Sequence, residues 1–110
     1  MNLASKTCQA CRVGEPTLKG EELTKYKDSL DPGWELYDQD KKVKREFEFK
    51  NFKEALYFVN KVGEIAEKEG HHPNIYLHSY KKVELTLWTH KIGGLHQNDF
   101  ILAAKIDSLI

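Results

Sequence analysis

The pattern of hydrophobic and polar residues predicts seven secondary-structure elements in the order α-β-β-α-β-β-α. Apolar residues recur at helical spacing in three segments, which are residues 20–30, 51–69 and 98–109. Four segments with strand-like patterns lie between them, at residues 34–37, 42–50, 75–80 and 82–90. Two hairpins joined by a helix favour an antiparallel sheet. We therefore predict an α+β fold, in which a four-stranded antiparallel sheet has helices packed on one face.

The segment 51–69 has the most regular helical pattern. Asn51 is a suitable N-cap, Glu54 stands three residues later as in a capping box, and Gly70 is placed to end the helix. Spacing predicts that the core face of this helix comprises Phe52, Ala55, Leu56, Val59, Val62 and Ala66. For the last helix, the predicted core residues are Phe100, Leu102, Ala103, Ile106 and either Leu109 or Ile110.

Composition and charge narrow the classes of function. The 110 residues suit one small domain, predicted over residues 20–110 after an N-terminal tail or irregular lead-in over residues 1–19. The 17 basic residues balance the 17 acidic ones, which argues against direct nucleic-acid binding and against a polybasic membrane-surface protein. No apolar run approaches the roughly 18 residues that span a bilayer, and residues 1–17 lack a signal-peptide hydrophobic segment. We therefore expect a cytoplasmic protein, whose small core makes homo-oligomerisation plausible.

Three of the five histidines are candidates for proton exchange with a substrate. His71 and His72 precede Pro73, which favours an extended backbone at His72, so that the two rings should point in opposite directions. His90 ends the fourth predicted strand and would approach this pair if the two central strands are neighbours. Imidazole changes charge near neutral pH and suits acid–base chemistry without a metal. The alternative is that each histidine is an exposed residue of a loop or strand end.

Two carboxylates are candidates to orient these imidazoles. Glu67 lies four residues before His71, and Asp99 opens the last helix. Alternatively, Asp99 is only a favourable anion in the first turn of a helix, and Glu67 is a solvated helix residue. We interpret His78 and His96 as surface residues. Trp34 and Trp88 are interpreted as packing groups, and either could also lie beside a flat ligand.

Cys8 and Cys11 form a Cys-x-x-Cys pair that is similar to half of a zinc site. A structural zinc site usually has four ligands, and the chain has no second cysteine pair, so that a distant pair such as His71 and His72 would have to complete it. Two cysteines also provide no disulfide framework. A zinc-dependent protein is therefore a minor hypothesis, which predicts bound metal and loss of function with a chelator.

Spaced elements at five places resemble the signature of the pterin-4a-carbinolamine dehydratases. They are Glu67, His71-His72-Pro73, Tyr80, His90 and Asp99. The upstream Gly33-Trp34 and the stretches at residues 47–52 and 89–100 also resemble this family. The resemblance covers roughly residues 20–110, and Cys8 and Cys11 lie outside it.

The resemblance implies a dehydratase acting on a 4a-hydroxytetrahydropterin of the 4a-hydroxytetrahydrobiopterin type, which aromatic amino acid hydroxylases release. Loss of water gives quinonoid dihydropterin, which a reductase can then reduce. The departing C4a hydroxyl needs a proton and a neighbouring ring N–H must lose one, so the reaction calls for acid and base groups. Because the substrate is itself the spent cofactor, we expect no metal or other cofactor. Members of the family associate as dimers or tetramers.

The resemblance also implies roles for individual residues. His71 and His90 would act as acids towards the departing hydroxyl, and His72 would bind the pterin and accept a proton. The carboxylates of Asp99 and Glu67 are expected to orient the imidazoles. The aromatic residues Trp34 and Tyr80 are expected to contact the substrate.

The alternative function is a protein-interaction module, acting as a regulatory partner or transcriptional coactivator through its oligomer surface. Some relatives have such roles, and others are linked to hydroxylase expression. A protein that acts only as a partner would have no reason to carry all three histidines, so their presence together favours the enzyme. The two functions are not mutually exclusive.

Overall fold

The structure is a computed structural model that describes residues 2–9 and 12–110. Within these residues it contains one four-stranded antiparallel sheet and three α-helices, so the predicted α+β fold is confirmed. The helices are α1 (Gly20–Asp28), α2 (Phe52–Glu69) and α3 (Gln97–Asp107). The strands are β1 (Glu35–Tyr37), β2 (Lys42–Glu48), β3 (Asn74–His78) and β4 (Lys82–Leu87).

The strand order β1-β2-β4-β3 brings the start of β3 beside the end of β4. The central strands β2 and β4 pair with Val43 opposite Leu87, while β3 pairs with β4 so that Asn74 lies opposite Thr86. The chain therefore enters β3 from α2 at the same end of the strands at which it leaves β4. This topology brings the segment before β3 close to the segment after β4.

The buried face of α2 differs in part from the predicted one. The inward residues are Ala55, Phe58, Val62 and Ala66, whereas Phe52 and Leu56 are 50% and 43% exposed. Phe58 was not among the predicted core residues. Because α2 has apolar residues on more than one face, its sequence pattern alone does not determine which face contacts the sheet.

The predicted ends of several elements also need correction. α1, β2 and β3 each end two residues earlier than predicted, at Asp28, Glu48 and His78. β4 ends at Leu87 rather than at residue 90, because the Thr89 N–H donates to the Gly94 carbonyl at 2.8 Å and closes a loop there. His90 consequently begins a short 3₁₀ turn. The last helix ends at Asp107, which leaves Leu109 and Ile110 on the surface, 36% and 63% exposed.

Part of the lead-in packs against the domain. Residues 3–5 form a 3₁₀ turn in which Leu3 is buried in the core. The ammonium of Lys105 on α3 donates to the Ala4 carbonyl at 3.0 Å. Among the described residues, no helix is both long enough and apolar enough to cross a membrane.

Candidate active site

His71 is positioned by the way in which α2 ends. Gly70 adopts a left-handed conformation with φ 66°, which favours glycine because a side chain would be strained there. The His71 N–H then donates back to the Ala66 carbonyl at 3.1 Å, and the Gly70 N–H donates to the Glu67 carbonyl at 3.3 Å. This pair of hydrogen bonds is a Schellman motif. It ends the helix and places the His71 ring just beyond it.

Asp99 is the fixed partner of His71. Its side chain is fully buried, and Oδ1 lies 2.5 Å from His71 Nε2. Oδ2 accepts hydrogen bonds from the Thr89 hydroxyl at 2.9 Å and from the His96 N–H at 3.0 Å. Because an ionised carboxylate can only accept, Nε2 of His71 must carry the proton in this pair. Nδ1 is then the ring nitrogen that remains for a substrate.

His72 and Glu67 form a second pair, but in a different environment. Nε2 of His72 lies 2.5 Å from Glu67 Oε2, with the side chains 63% and 79% exposed. Exposed ion pairs contribute little free energy, because water screens them and long side chains lose conformational freedom. The structure thus pairs each adjacent histidine with its own carboxylate, one of them buried and the other in water.

His90 lies on the loop that leaves β4, in contact with an aromatic side chain. Its ring centroid is 4.2 Å from that of Trp88, with the ring planes inclined by 38°. The loop itself is held by the hydrogen bond between Thr89 and Gly94. A Cβ at Gly94 would lie 2.5 Å from the Thr17 side chain, so this close approach requires glycine.

The three histidines line one cleft of about 600 Å³. The end of α2 forms one side of the cleft, and the loop after β4 forms another. The start of α3 and the lead-in complete its lining, which consists of Cys8, Gln9, Glu69, Gly70, His71, His72, Thr89, His90, Lys91 and Asn98. A cleft of this size is typical of small-molecule sites. Imidazoles on several sides of it would allow protons to be given to a bound molecule and taken from it.

Two of the predicted substrate-binding residues lie away from this cleft. Trp34 is fully buried, and its indole N–H donates to Asp107 Oδ2 at 2.9 Å near the far end of α3. Tyr80 is 61% exposed in the turn between β3 and β4. That turn is at the opposite end of these strands from His71, because the antiparallel register pairs His78 with Lys82 there. Within one chain, neither aromatic ring belongs to the cleft.

Two histidines interpreted as surface residues have partners. His96 caps α3, accepting at Nδ1 from the Asn98 N–H at 3.1 Å, and its Nε2 lies 3.0 Å from Glu15 Oε2. His78 Nε2 lies 2.6 Å from Glu46 Oε1 across the sheet. The carboxylate partners Glu15 and Glu46 are distant in sequence, so spacing along the chain gave no signal for them.

Sequence reasoning also missed several residues of the site. Thr89 contacts Asp99, and Glu69 and Asn98 line the cleft. Trp88, interpreted from the sequence as a packing group or a residue beside a flat ligand, contacts His90. Thr89 could have been suspected, since it directly precedes His90 in the stretch that carries the family resemblance. Glu69 and Asn98 accept hydrogen bonds from the backbone of Cys8 and Gln9, which are distant in sequence, so no pattern along the chain indicates them.

Cys8 is a half-buried neutral thiol at the wall of the cleft. Burial, followed by the nearby Glu69 carboxylate, raises its pKa to about 12. A thiol with so high a pKa is a poor nucleophile at neutral pH. Cys11 lies outside the described residues, and the residues that are described contain no group of three or more His, Cys, Asp or Glu side chains placed to hold a metal ion.

Comparison with known proteins identifies the family. The family model for pterin 4 alpha carbinolamine dehydratase matches residues 16–109. The chain belongs to this family. Relatives from Alkaliphilus metalliredigens and Methylococcus capsulatus, each named "Putative pterin-4-alpha-carbinolamine dehydratase", are 50% and 51% identical to it. The alignments cover 96% and 98% of this chain, and 94% and 93% of the relatives. Coverage of 96% extends into the part of the lead-in that precedes residue 16, where the match to the family model begins.

One solved structure agrees with this assignment, and a second one shares the fold. The crystal structure of transcriptional coactivator/pterin dehydratase from Brucella melitensis superposes with a TM-score of 0.78 at 32% identity, covering 86% of this chain and 98% of that one. A pterin dehydratase-like protein, described as a RuBisCO assembly factor in the alpha-carboxysome, shares the fold with a TM-score of 0.61 at 23% identity, covering 70% and 88% of the two chains. Family membership and the names of the relatives support a pterin-4a-carbinolamine dehydratase activity.

Proposed function

We propose that this dehydratase converts 4a-hydroxytetrahydropterin into quinonoid dihydropterin and water by imidazole acid–base catalysis, with no further cofactor. The observation that carries the proposal is that His71, His72 and His90 line the same cleft. A flat heterocycle in this cleft would have imidazoles available to both its hydroxyl and its ring nitrogen.

In the proposed reaction the C4a–O bond breaks, and the hydroxyl takes a proton and leaves as water. The neighbouring ring N–H gives up its proton, and its electrons form the new double bond. We assign the acid role to His71 and His90, and we assign pterin binding and acceptance of the ring proton to His72. As an acid, His71 is the imidazolium, which keeps its Nε2 proton on Asp99 and gives up the proton on Nδ1.

The proposed physiological role is recycling of the pterin cofactor of aromatic amino acid hydroxylases in the cytoplasm. The 4a-hydroxypterin is the form in which such hydroxylases release their cofactor, so the two activities would act in sequence. A coupled assay should therefore show faster regeneration of tetrahydropterin when the dehydratase accompanies a hydroxylase and a dihydropterin reductase. An unchanged regeneration rate would argue against this role.

We also propose that the protein is a homodimer or homotetramer in which α2 contributes to an interface. Support comes from the exposed apolar side chains of Phe52, Leu56 and Tyr57 on one helix. Exposure of such a group of apolar side chains to water is unfavourable, and it is typical of a protein–protein interface. Light scattering should show more than one chain per particle, and Leu56→Asp should reduce that number. A monomeric wild-type protein would contradict the proposal.

The deciding experiment measures loss of 4a-hydroxypterin with and without the protein at matched pH. The dehydratase should accelerate this loss well above the spontaneous rate. A rate equal to the spontaneous one would favour the second candidate, a protein-interaction module. The name of the Brucella melitensis structure, which pairs coactivator with dehydratase, and the exposed apolar face of α2 support that candidate.

A further inference from the structure

The lead-in bridges two elements that carry site residues. The Cys8 N–H donates to Glu69 Oε1 at 2.9 Å, at the end of α2. The Gln9 N–H donates to Asn98 Oδ1 at 2.9 Å, and Asn98 Nδ2 donates back to the Gln9 carbonyl at 2.6 Å, at the start of α3. Two consecutive residues thus hold the end of one helix against the beginning of another. We refer to Cys8 and Gln9 as the clamp.

The two residues held by the clamp adjoin the buried catalytic pair. Glu69 is two positions before His71, and Asn98 is directly before Asp99. Asn98 is buried at 3% exposure, and the side chain of Glu69 is 6% exposed. A buried carboxylate or amide without its hydrogen-bond partners is costly, so the contacts of the clamp favour one fixed arrangement of these helix ends.

We propose that the clamp positions His71 and Asp99 relative to each other and forms one wall of the pterin cleft. Only the expected effect on KM rests on the proposed dehydratase function, whereas the expected effect on the His71 tautomer does not. Cys8 and Gln9 act as positioning residues through their backbone groups, and they also line the cleft itself. The lead-in would in this way complete a site whose other residues lie in the family domain.

The charges around the clamp agree with a structural use of Cys8. The hydrogen bond from the Cys8 N–H is the main cause that lowers the pKa of Glu69, so this contact favours the ionised carboxylate. Lys105 lies 3.7 Å from Glu69 Oε2 and also holds the Ala4 carbonyl, which anchors the lead-in at a second point. The Cys8 thiol is directed to the Asn98 carbonyl at 3.6 Å and stays protonated.

The experiment uses the full chain and compares variants that break or keep the clamp. Glu69→Ala removes the acceptor for the Cys8 N–H, and Gln9→Pro removes the N–H that donates to Asn98. Glu69→Gln keeps an oxygen acceptor and is the conservative variant, while Lys6→Ala changes an exposed lead-in residue as the control. Nitrogen-15 NMR of the neutral His71 ring measures the fraction with the proton on Nε2, and kinetics give KM and kcat.

We expect Glu69→Ala and Gln9→Pro to lower the Nε2–H fraction of His71 and to raise KM about tenfold. Glu69→Gln and Lys6→Ala should keep the wild-type tautomer. The proposal would be overturned if Glu69→Ala and Gln9→Pro fold and keep the wild-type tautomer and KM. A changed tautomer in Glu69→Gln would also overturn it. If the other two variants do not fold, the Glu69→Gln result decides. If the wild-type protein shows no turnover, the proposed function fails, whereas the tautomer comparison still tests the clamp.

Discussion

Asp99 holds His71 across 28 positions of sequence, with 2.5 Å between Oδ1 and Nε2. The carboxylate has no solvent exposure, and its other oxygen already accepts from Thr89 and His96. Three donors from separate segments therefore fix its orientation. The consequence is a defined His71 tautomer before any substrate binds, which removes one source of reorganisation from proton transfer.

Replacing Asp99 by Asn should reverse this tautomer while leaving the fold in place. The amide oxygen can keep the contacts of Oδ2, so that the amide NH₂ would donate to His71 Nε2 and move the ring proton to Nδ1. The variant also removes the negative charge that stabilises the His71 imidazolium, which is the acid form of the ring. We therefore expect kcat to fall about 10²- to 10⁴-fold, the usual contribution of acid–base catalysis. Turnover and circular dichroism should be measured together. Asp107→Asn, on the same helix but away from the cleft, is the matched control, and equal effects of the two variants would argue against a special role for Asp99.

His72→Ala should remove most dehydratase activity without unfolding the protein. His72 is exposed, so truncating it creates no cavity and should change the free energy of unfolding by less than about 0.5 kcal/mol. His78→Ala offers a control, because His78 is also paired with a carboxylate, Glu46, yet lies on the sheet away from the cleft. If His72→Ala turned over substrate at a near-wild-type rate, His72 would have to be removed from the proposed site.

The rate of dehydration should depend on pH through groups that titrate near neutrality. An acid must be protonated and a base must be free, so kcat/KM should fall on both sides of an optimum. The measurement is a pH–rate profile with the spontaneous rate subtracted at each pH. A profile that stays flat between about pH 5 and 9 is incompatible with imidazole acid–base catalysis.

Trp34→Phe should affect stability but not substrate binding. The variant loses the hydrogen bond between the indole and Asp107 and leaves a small void in the core, at a cost of about 1–3 kcal/mol. Urea unfolding should detect this loss, whereas KM should equal that of the wild-type protein because Trp34 lies outside the cleft. A raised KM at full folding would return Trp34 to the list of substrate contacts.

Protonation of Glu69 should lower the free energy of unfolding in acid. Its pKa is lower in the folded state than its ordinary value of 4.5, so the ionised group stabilises the fold above that pH. This contribution is lost as the pH falls through the folded-state pKa. In Glu69→Gln, urea unfolding should therefore show a smaller dependence on pH below about 4.5 than in the wild-type protein. Identical pH dependence in the two proteins would show that Glu69 does not titrate with folding.

The sequence predicted the sheet and the helices better than it predicted their contacts. Alternation along β2 and the cap at Asn51 are local signals, and the structure follows both, since the Asn51 side chain accepts from the Glu54 N–H at 2.9 Å. The reciprocal half of that capping box differs, because the Glu54 carboxylate accepts from Lys50 instead. The inward face of α2 could not be predicted, because it depends on which helix and strands pack against it.

The sequence by itself determined the order of the elements, the family and the three histidines, because these depend on residue types and on spacing along the chain. Only the tertiary structure decided that Asp99 holds His71 while Glu67 holds His72, that Trp34 is a core residue, and that the lead-in reaches the cleft. Each of these is a contact between segments distant in sequence. Such contacts follow from how elements pack, and the spacing of residues along one element carries no record of them.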